Sequence, residues 1–197
     1  MHPVEIRVLG ALIEKDITTP EYYPLTVNSL QNACNQKSSR DPVVQFEEQT
    51  VEQALETLKN KHLVVRISGA GHRVEKFAHR LGEVLNLGRR EMAILCVLML
   101  RGPQSEGELR GRTERMHEFN DMEEVERVLE TLEKSELVSR ASRGRWAQLL
   151  GGAVEISDEP APVTIARTPL EERVATLERE LQSLKQQLQE KLGESFD

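Results

Sequence analysis

The sequence predicts a mainly α protein with small β-hairpins, an α+β chain carrying two winged-helix (helix-turn-helix) domains in tandem and a C-terminal coiled-coil-like helix. Three observations predict it: an internal repeat, the order of elements around each copy, and a leucine spacing near the end. Residues 51–66 read VEQALETLKNKHLVVR and residues 125–140 read VERVLETLEKSELVSR, nine of sixteen positions being identical without a gap. In both copies apolar residues recur at i, i+4 and i+7 (Val51, Leu55, Leu58; Val125, Leu129, Leu132), the period of an amphipathic helix. A polar turn and a β-branched stretch follow each helix.

The first domain, 1–80, opens with the helix-length apolar segment EIRVLGALIEK (5–15) and the shorter, more polar TVNSLQNACNQ (26–36). The repeat helix comes third, and VVRISGAGHRVEKFAH then reads as a hairpin turning at Gly69 and Gly71. The second domain, 86–150, repeats the order with EMAILCVLMLRG (91–102), SEGELRGRTERM (105–116), the repeat helix, and VSRASRGRWAQLL turning at Gly144. Three helices and a hairpin make the winged-helix order, in which the third helix normally enters the major groove. Residues 151–169, rich in Gly, Pro and small side chains, predict a flexible linker. Thr168–Pro169 then supplies a helix start for 170–192. Along that helix Leu170, Val174, Leu177, Leu181, Leu184 and Leu188 alternate four and three apart, a heptad seam. Val174, Leu177, Leu181, Leu184 and Leu188 either pair two chains as a homodimer or pack the helix back on its own domain.

Composition excludes several classes. With 38% hydrophobic, 30% charged and only 4% aromatic residues, the chain reads as soluble and helix-rich, its core built from Leu, Val, Ile and Ala. The longest apolar run, MAILCVLML (92–100), is about half the roughly 18 residues of a membrane span, so it predicts a buried helix and no membrane association. No charged-then-apolar leader is present, and a cytoplasmic location is expected. Cys34 and Cys96 make neither a disulfide framework nor a zinc site. The five histidines have no metal spacing, and phosphate-loop and nucleophile motifs are missing, so no metal, cofactor or catalytic activity is expected. Most of the net charge of −7 lies in 151–197, where 10 acidic residues face 5 basic ones, whereas 1–80 balance at 10 and 10.

Two sets of residues compete for the function. NACNQKSSRDP (32–42) places Asn35, Gln36, Lys37, Ser39 and Arg40 in a connection of about ten residues, from Gln36 to about Gln45, longer than a helix-turn-helix needs. It is either a capping loop or a polar contact surface. At the hairpin tips Arg73, Arg143 and Arg145 stand at glycine turns, where arginine reaches phosphate or a narrow minor groove or serves solubility. On the leading expectation the protein binds DNA as a regulator or accessory factor. Lys37, Arg40, Arg73, Arg143 and Arg145 would touch phosphate or minor groove, and Asn35 and Gln36 would face bases. The third helices argue otherwise. Glu47, Glu48, Glu52 and Glu56 in the first, and Glu123, Glu124, Glu126 and Glu130 among seven carboxylates in and before the second, would repel phosphates. Such faces suit a protein–protein adaptor that docks a basic partner surface without touching DNA.

The stretches TTPEYYPLTVNSLQNACNQKSSRDPV, LVVRISGAGHRVEKFAHR and LRGPQSEGELRGRTERMHEF closely resemble the YceH family of uncharacterised bacterial proteins. The resemblance covers nearly the whole chain. It implies a bacterial cytoplasmic protein with two winged-helix domains and brings no activity with it.

Overall fold

Pro at the first helical position and a reciprocal cap start the first helix, α1 (Pro3–Thr18). His2 Nδ1 accepts from the Val4 backbone N–H at 3.3 Å, and the Glu5 carboxylate accepts from the His2 N–H at 2.6 Å. Every residue from Glu5 to Ile13 is buried, so α1 is a central helix, covered all round rather than on one stripe. The computed structural model describes residues 1–67 and 74–152. Arg73, the linker beyond 152 and the heptad helix with its seam from Val174 to Leu188 lie outside the described residues.

A Thr26 cap starts α2 (Val27–Cys34), and α3 (Glu48–Asn60) follows after a long connection. Strands β1 (Val64–Ile67) and β2 (Lys76–His79) pair antiparallel with Val64 opposite His79. After the short α4 (Leu81–Leu85) the order recurs with α5 (Arg89–Arg101), α6 (Glu106–Thr113) and α7 (Met122–Lys134). Strands β3 (Val138–Ala141) and β4 (Arg145–Gln148) then pair antiparallel with Val138 opposite Gln148. The described chain is thus mainly helical with two small two-stranded sheets. The two polar helices, α2 and α6, stop short of the segments read for them, at Cys34 and Thr113.

The repeat extends to backbone detail. Leu25, just before α2, exchanges backbone hydrogen bonds with Phe77 on β2 (3.2 and 2.7 Å), and Gln104, just before α6, does the same with Trp146 on β4 (2.9 and 2.7 Å). Helices α3 and α7 end alike. His62 and Glu136 take left-handed backbone angles (φ 59° and 56°). The next N–H then reaches back to the helix, Leu63 to Leu58 O at 3.0 Å and Leu137 to Leu132 O at 2.9 Å. This is a terminus that normally employs glycine.

The first helices of the two halves pack on each other. All residues from Met92 to Leu100 of α5 are buried, as nine consecutive residues of α1 are. At the crossing a Cβ on Gly10 would lie 3.0 Å from Leu100 and 3.1 Å from Met99. Cys96, the buried small residue expected of the apolar run, donates its S–H to Gly10 O at 3.4 Å. One continuous core therefore runs from Ile6 through Leu58 and Leu95 to Trp146. Among the described residues no helix is long and apolar enough to cross a membrane.

Two substitutions test this packing. Gly10→Val, which forces a branched side chain into a closed helix crossing, should lower stability by about 1–3 kcal/mol, measured as the shift of a urea midpoint. Glu136→Gly relieves a left-handed backbone at an exposed position and should raise stability by about 1 kcal/mol; an unchanged midpoint would show that the turn carries no strain.

Candidate functional site

The loop between α2 and α3 is built from the residues singled out as contacts, but most of them face inward. Arg40 is buried, its side chain 0% exposed. Its guanidinium grips the Glu14 carboxylate at 3.0 and 2.6 Å, a two-pronged charge-assisted contact. It also donates to the carbonyls of Ala33 (3.1 and 2.8 Å) and Ser39 (2.9 Å) and to Gln36 Oε1 (3.2 Å). Arg40 thus fastens the C-terminus of α2, whose last carbonyls need donors, to the middle of α1. The expectation that it touches phosphate is corrected: a guanidinium with its donors spent on Glu14 and two carbonyls has none to offer outward.

Asn35 and Gln36 are corrected likewise. The Asn35 amide pairs both ways with the Phe46 backbone, Nδ2 donating to O at 2.9 Å and Oδ1 accepting from N–H at 2.8 Å. Gln31 Nε2 donates to the same carbonyl at 3.0 Å. Gln36 Oε1 accepts from Arg40 and, at 3.5 Å, from Lys15. The Asn35 amide is spent on the Phe46 backbone, and the Gln36 amide oxygen on Arg40 and Lys15. Ser39 sits half-buried at the left-handed turn of the loop (φ 59°), its carbonyl held by Arg40. Lys37 alone of the five is exposed and has no partner among the described residues. The capping-loop reading therefore accounts for most of this stretch.

The second hairpin divides its arginines. Arg145 donates to the Pro103 carbonyl at 2.8 Å and pairs with Glu108 at 3.2 Å, which ties β4 to α6. Arg143, at φ 59° in the turn, points to solvent. Arg140 lies over the Trp146 ring at 4.4 Å, a cation–π contact.

On α7 the exposed carboxylates are Glu123, Glu126, Glu130 and Glu133, and among the described residues none has a cation within salt-bridge distance. Glu124 is the exception and leaves the docking face. It is buried, accepts from the Asn120 backbone and side chain at 3.0 and 3.1 Å, and pairs with Arg90 at 3.1 Å. Those hydrogen bonds and that charge hold its carboxyl below the usual range. On α3, Glu48, Glu52 and Glu56 are exposed, only Glu56 being paired, with Lys59 at 2.7 Å.

The sequence reading passed over four buried or half-buried charged groups on α1, the first being Glu5, which pairs with Lys61 at 2.7 Å. Arg7 is buried and donates to Pro42 O at 2.6 Å and Cys34 O at 3.4 Å. Glu14 receives Arg40, and Asp16 pairs with His79 of β2 at 3.2 Å. His79 thus faces α1, and its backbone N–H donates to the Tyr23 hydroxyl at 2.7 Å. The usable signal was a charged residue inside an apolar helix run, flanked on both sides by residues that must be buried. Among the described residues no group of His, Cys, Asp and Glu could hold a metal.

Burial pushes the Glu14 carboxyl up, but the Arg40 hydrogen bonds and charge, helped by Lys15, outweigh this and hold it below the ordinary value. A carboxylate with a lowered folded-state pKa adds stability above its unfolded pKa, about 4.3, and loses it as pH falls through the folded value. Stability should therefore decline on acidification below the ordinary carboxylate range, and Glu14→Gln should flatten that limb of the curve. Arg40→Met leaves a buried carboxylate without its partner and should cost about 3–5 kcal/mol. The double change Glu14→Met, Arg40→Met should recover part of the loss, with both variants compared by chemical denaturation.

Comparison with known proteins agrees with the YceH resemblance. Residues 1–145 match the family described as "Protein of unknown function, DUF480". A UPF0502 protein of Solibacter usitatus is 53% identical over 188 residues, covering 92% of this chain and 91% of that one. UPF0502 proteins of Geobacter sulfurreducens and Serratia proteamaculans are 49% and 45% identical over 197 and 200 residues, again covering at least nine-tenths of each chain. With a family match over most of its length and relatives about half identical along nearly all of it, the chain belongs to the UPF0502/DUF480 family, the YceH-like proteins.

Proposed function

We propose that the protein is a non-enzymatic, cytoplasmic adaptor of two winged-helix halves that docks a basic protein surface through its third helices. The repeated order of three helices and a hairpin, with a bridging residue before each second helix, supports the winged-helix part. One observation carries the choice of partner. On α3 and α7 the outward faces present Glu48, Glu52, Glu123, Glu126, Glu130 and Glu133, unpaired among the described residues and outnumbering the exposed Arg127 and Lys134 of α7, where a groove reader needs an excess of lysine and arginine. Arg40, a cation that could have offset this charge, is spent inside the fold on Glu14 and the Ala33 carbonyl. Glu126 and Glu130 are one helical turn apart on α7 and Glu52 and Glu56 on α3, so each helix offers a carboxylate row to a complementary Lys/Arg row.

The DNA reading keeps Lys37 and Arg143 as exposed cations, with Arg145 engaged in the fold. Fluorescence anisotropy against a lysine-rich peptide and a random duplex separates the two. Glu123→Gln, Glu126→Gln, Glu130→Gln should weaken the peptide by about tenfold, since each lost rim charge contributes on the order of 0.5 kcal/mol, while Lys37→Glu, Arg143→Glu should leave it unaltered. Salt-sensitive binding to the duplex that the second variant abolishes would restore DNA as the partner.

A further inference from the structure

Two guanidinium groups are buried side by side in the first half, and only one has a carboxylate. Arg40 takes both oxygens of Glu14, whereas Arg7 is 5% exposed and finds two carbonyls, Cys34 O and Pro42 O. A buried cation is expensive unless an anion meets it. Arg7 carries five N–H donors, of which two are engaged among the described residues. Burial and the positive charge of Arg40 both act to pull its pKa below the ordinary value.

Arg7 also lines a recess of about 400 Å³ between the start of α1, the end of α5 and the 41–46 loop. That volume is within the range of small-ligand sites. Its other walls are mostly apolar, with Ile6, Val44, Phe46, Leu98 and Met99 among the lining residues. The nearest acid in the wall, Asp41, is exposed and beyond salt-bridge distance of Arg7 among the described residues. A planar anionic head against a guanidinium, with an apolar body against aliphatic side chains, is the ligand shape that this wall complements.

We propose that this recess is a binding site for a small aliphatic carboxylate, its head paired with Arg7 and its chain lying among Val44, Phe46, Leu98 and Met99. The site is separate from the acidic faces of α3 and α7 and stands or falls independently of the adaptor reading. Because its walls come from the loop after α2 and from α5 of the other half, an occupant would bridge the two halves and stabilise them together.

The probes are acetate, butyrate, hexanoate and octanoate, each beside the alcohol of the same length, added to the full chain. Methyl NMR shifts of Val44, Leu98 and Met99 and the thermal midpoint are the readouts. The carboxylates should shift those methyls saturably, with affinity rising with chain length, and the alcohols should bind about tenfold more weakly or worse. Arg7→Gln should erase the difference between acid and alcohol. Val44→Trp, which fills the recess without touching the guanidinium, should weaken both and guards against Arg7→Gln acting by unfolding. Equal response to acids and alcohols, or unshifted methyls across the whole series, would overturn the site.

Discussion

Where α1 crosses α5, Gly10 leaves the two backbones so close that a methyl group would meet Leu100 at 3.0 Å, and both helices are buried for nine consecutive residues around that point. Each half of the described chain offers one fully covered helix to the other. Both helices carry apolar residues on the faces that meet, so either half alone would expose the face that the other now covers. The remaining elements are arranged around this pair: α2 and α3 close on α1, and α6, α7 and β4 on α5.

Burying α1 so fully brings charges inside with it. Glu5 meets Lys61 at 2.7 Å and Glu14 meets Arg40 at 2.6 Å, while the part-exposed Asp16 reaches the His79 ring at 3.2 Å, a contact that is ionic only when the imidazole is protonated. Each pair ties α1 to a different part of the first half: the end of α3, the loop after α2, and the edge of the hairpin. Such pairs contribute less by attraction than by penalising any arrangement that leaves one member buried alone. The long loop after α2 is therefore an internal brace, whose polar side chains replace the backbone hydrogen bonds that a short turn would have supplied.

The charge left outside has a pattern. Both third helices turn carboxylates to solvent, and their cap acids add to the field at the N-termini. Carboxylates outnumber the cations on these helices: α7 exposes Glu123, Glu126, Glu130 and Glu133 against Arg127 and Lys134, and α3 exposes Glu48, Glu52 and Glu56 beside the half-buried Lys59. The outward faces of α3 and α7 thus carry a net negative charge among the described residues. Element order limits which surfaces exist; the side chains on them decide what they bind.

Much of this was legible in the sequence. The repeat at 51–66 and 125–140 placed α3 and α7 because amphipathic spacing is a local property, and the apolar run at 92–100 announced a buried helix by its length alone. The matched turns at His62 and Glu136 follow from equivalent positions of that repeat. The destination of each polar side chain was a different matter. Asn35, Gln36 and Arg40 have the composition of a contact surface, and Glu124 has the same local setting as Glu123. Only the approach of Phe46, Glu14 and Arg90, 11 to 34 residues away in sequence, turned them inward. Local periodicity is written residue by residue into the chain, whereas the partner of a charge is chosen by long-range packing, which leaves no periodic trace.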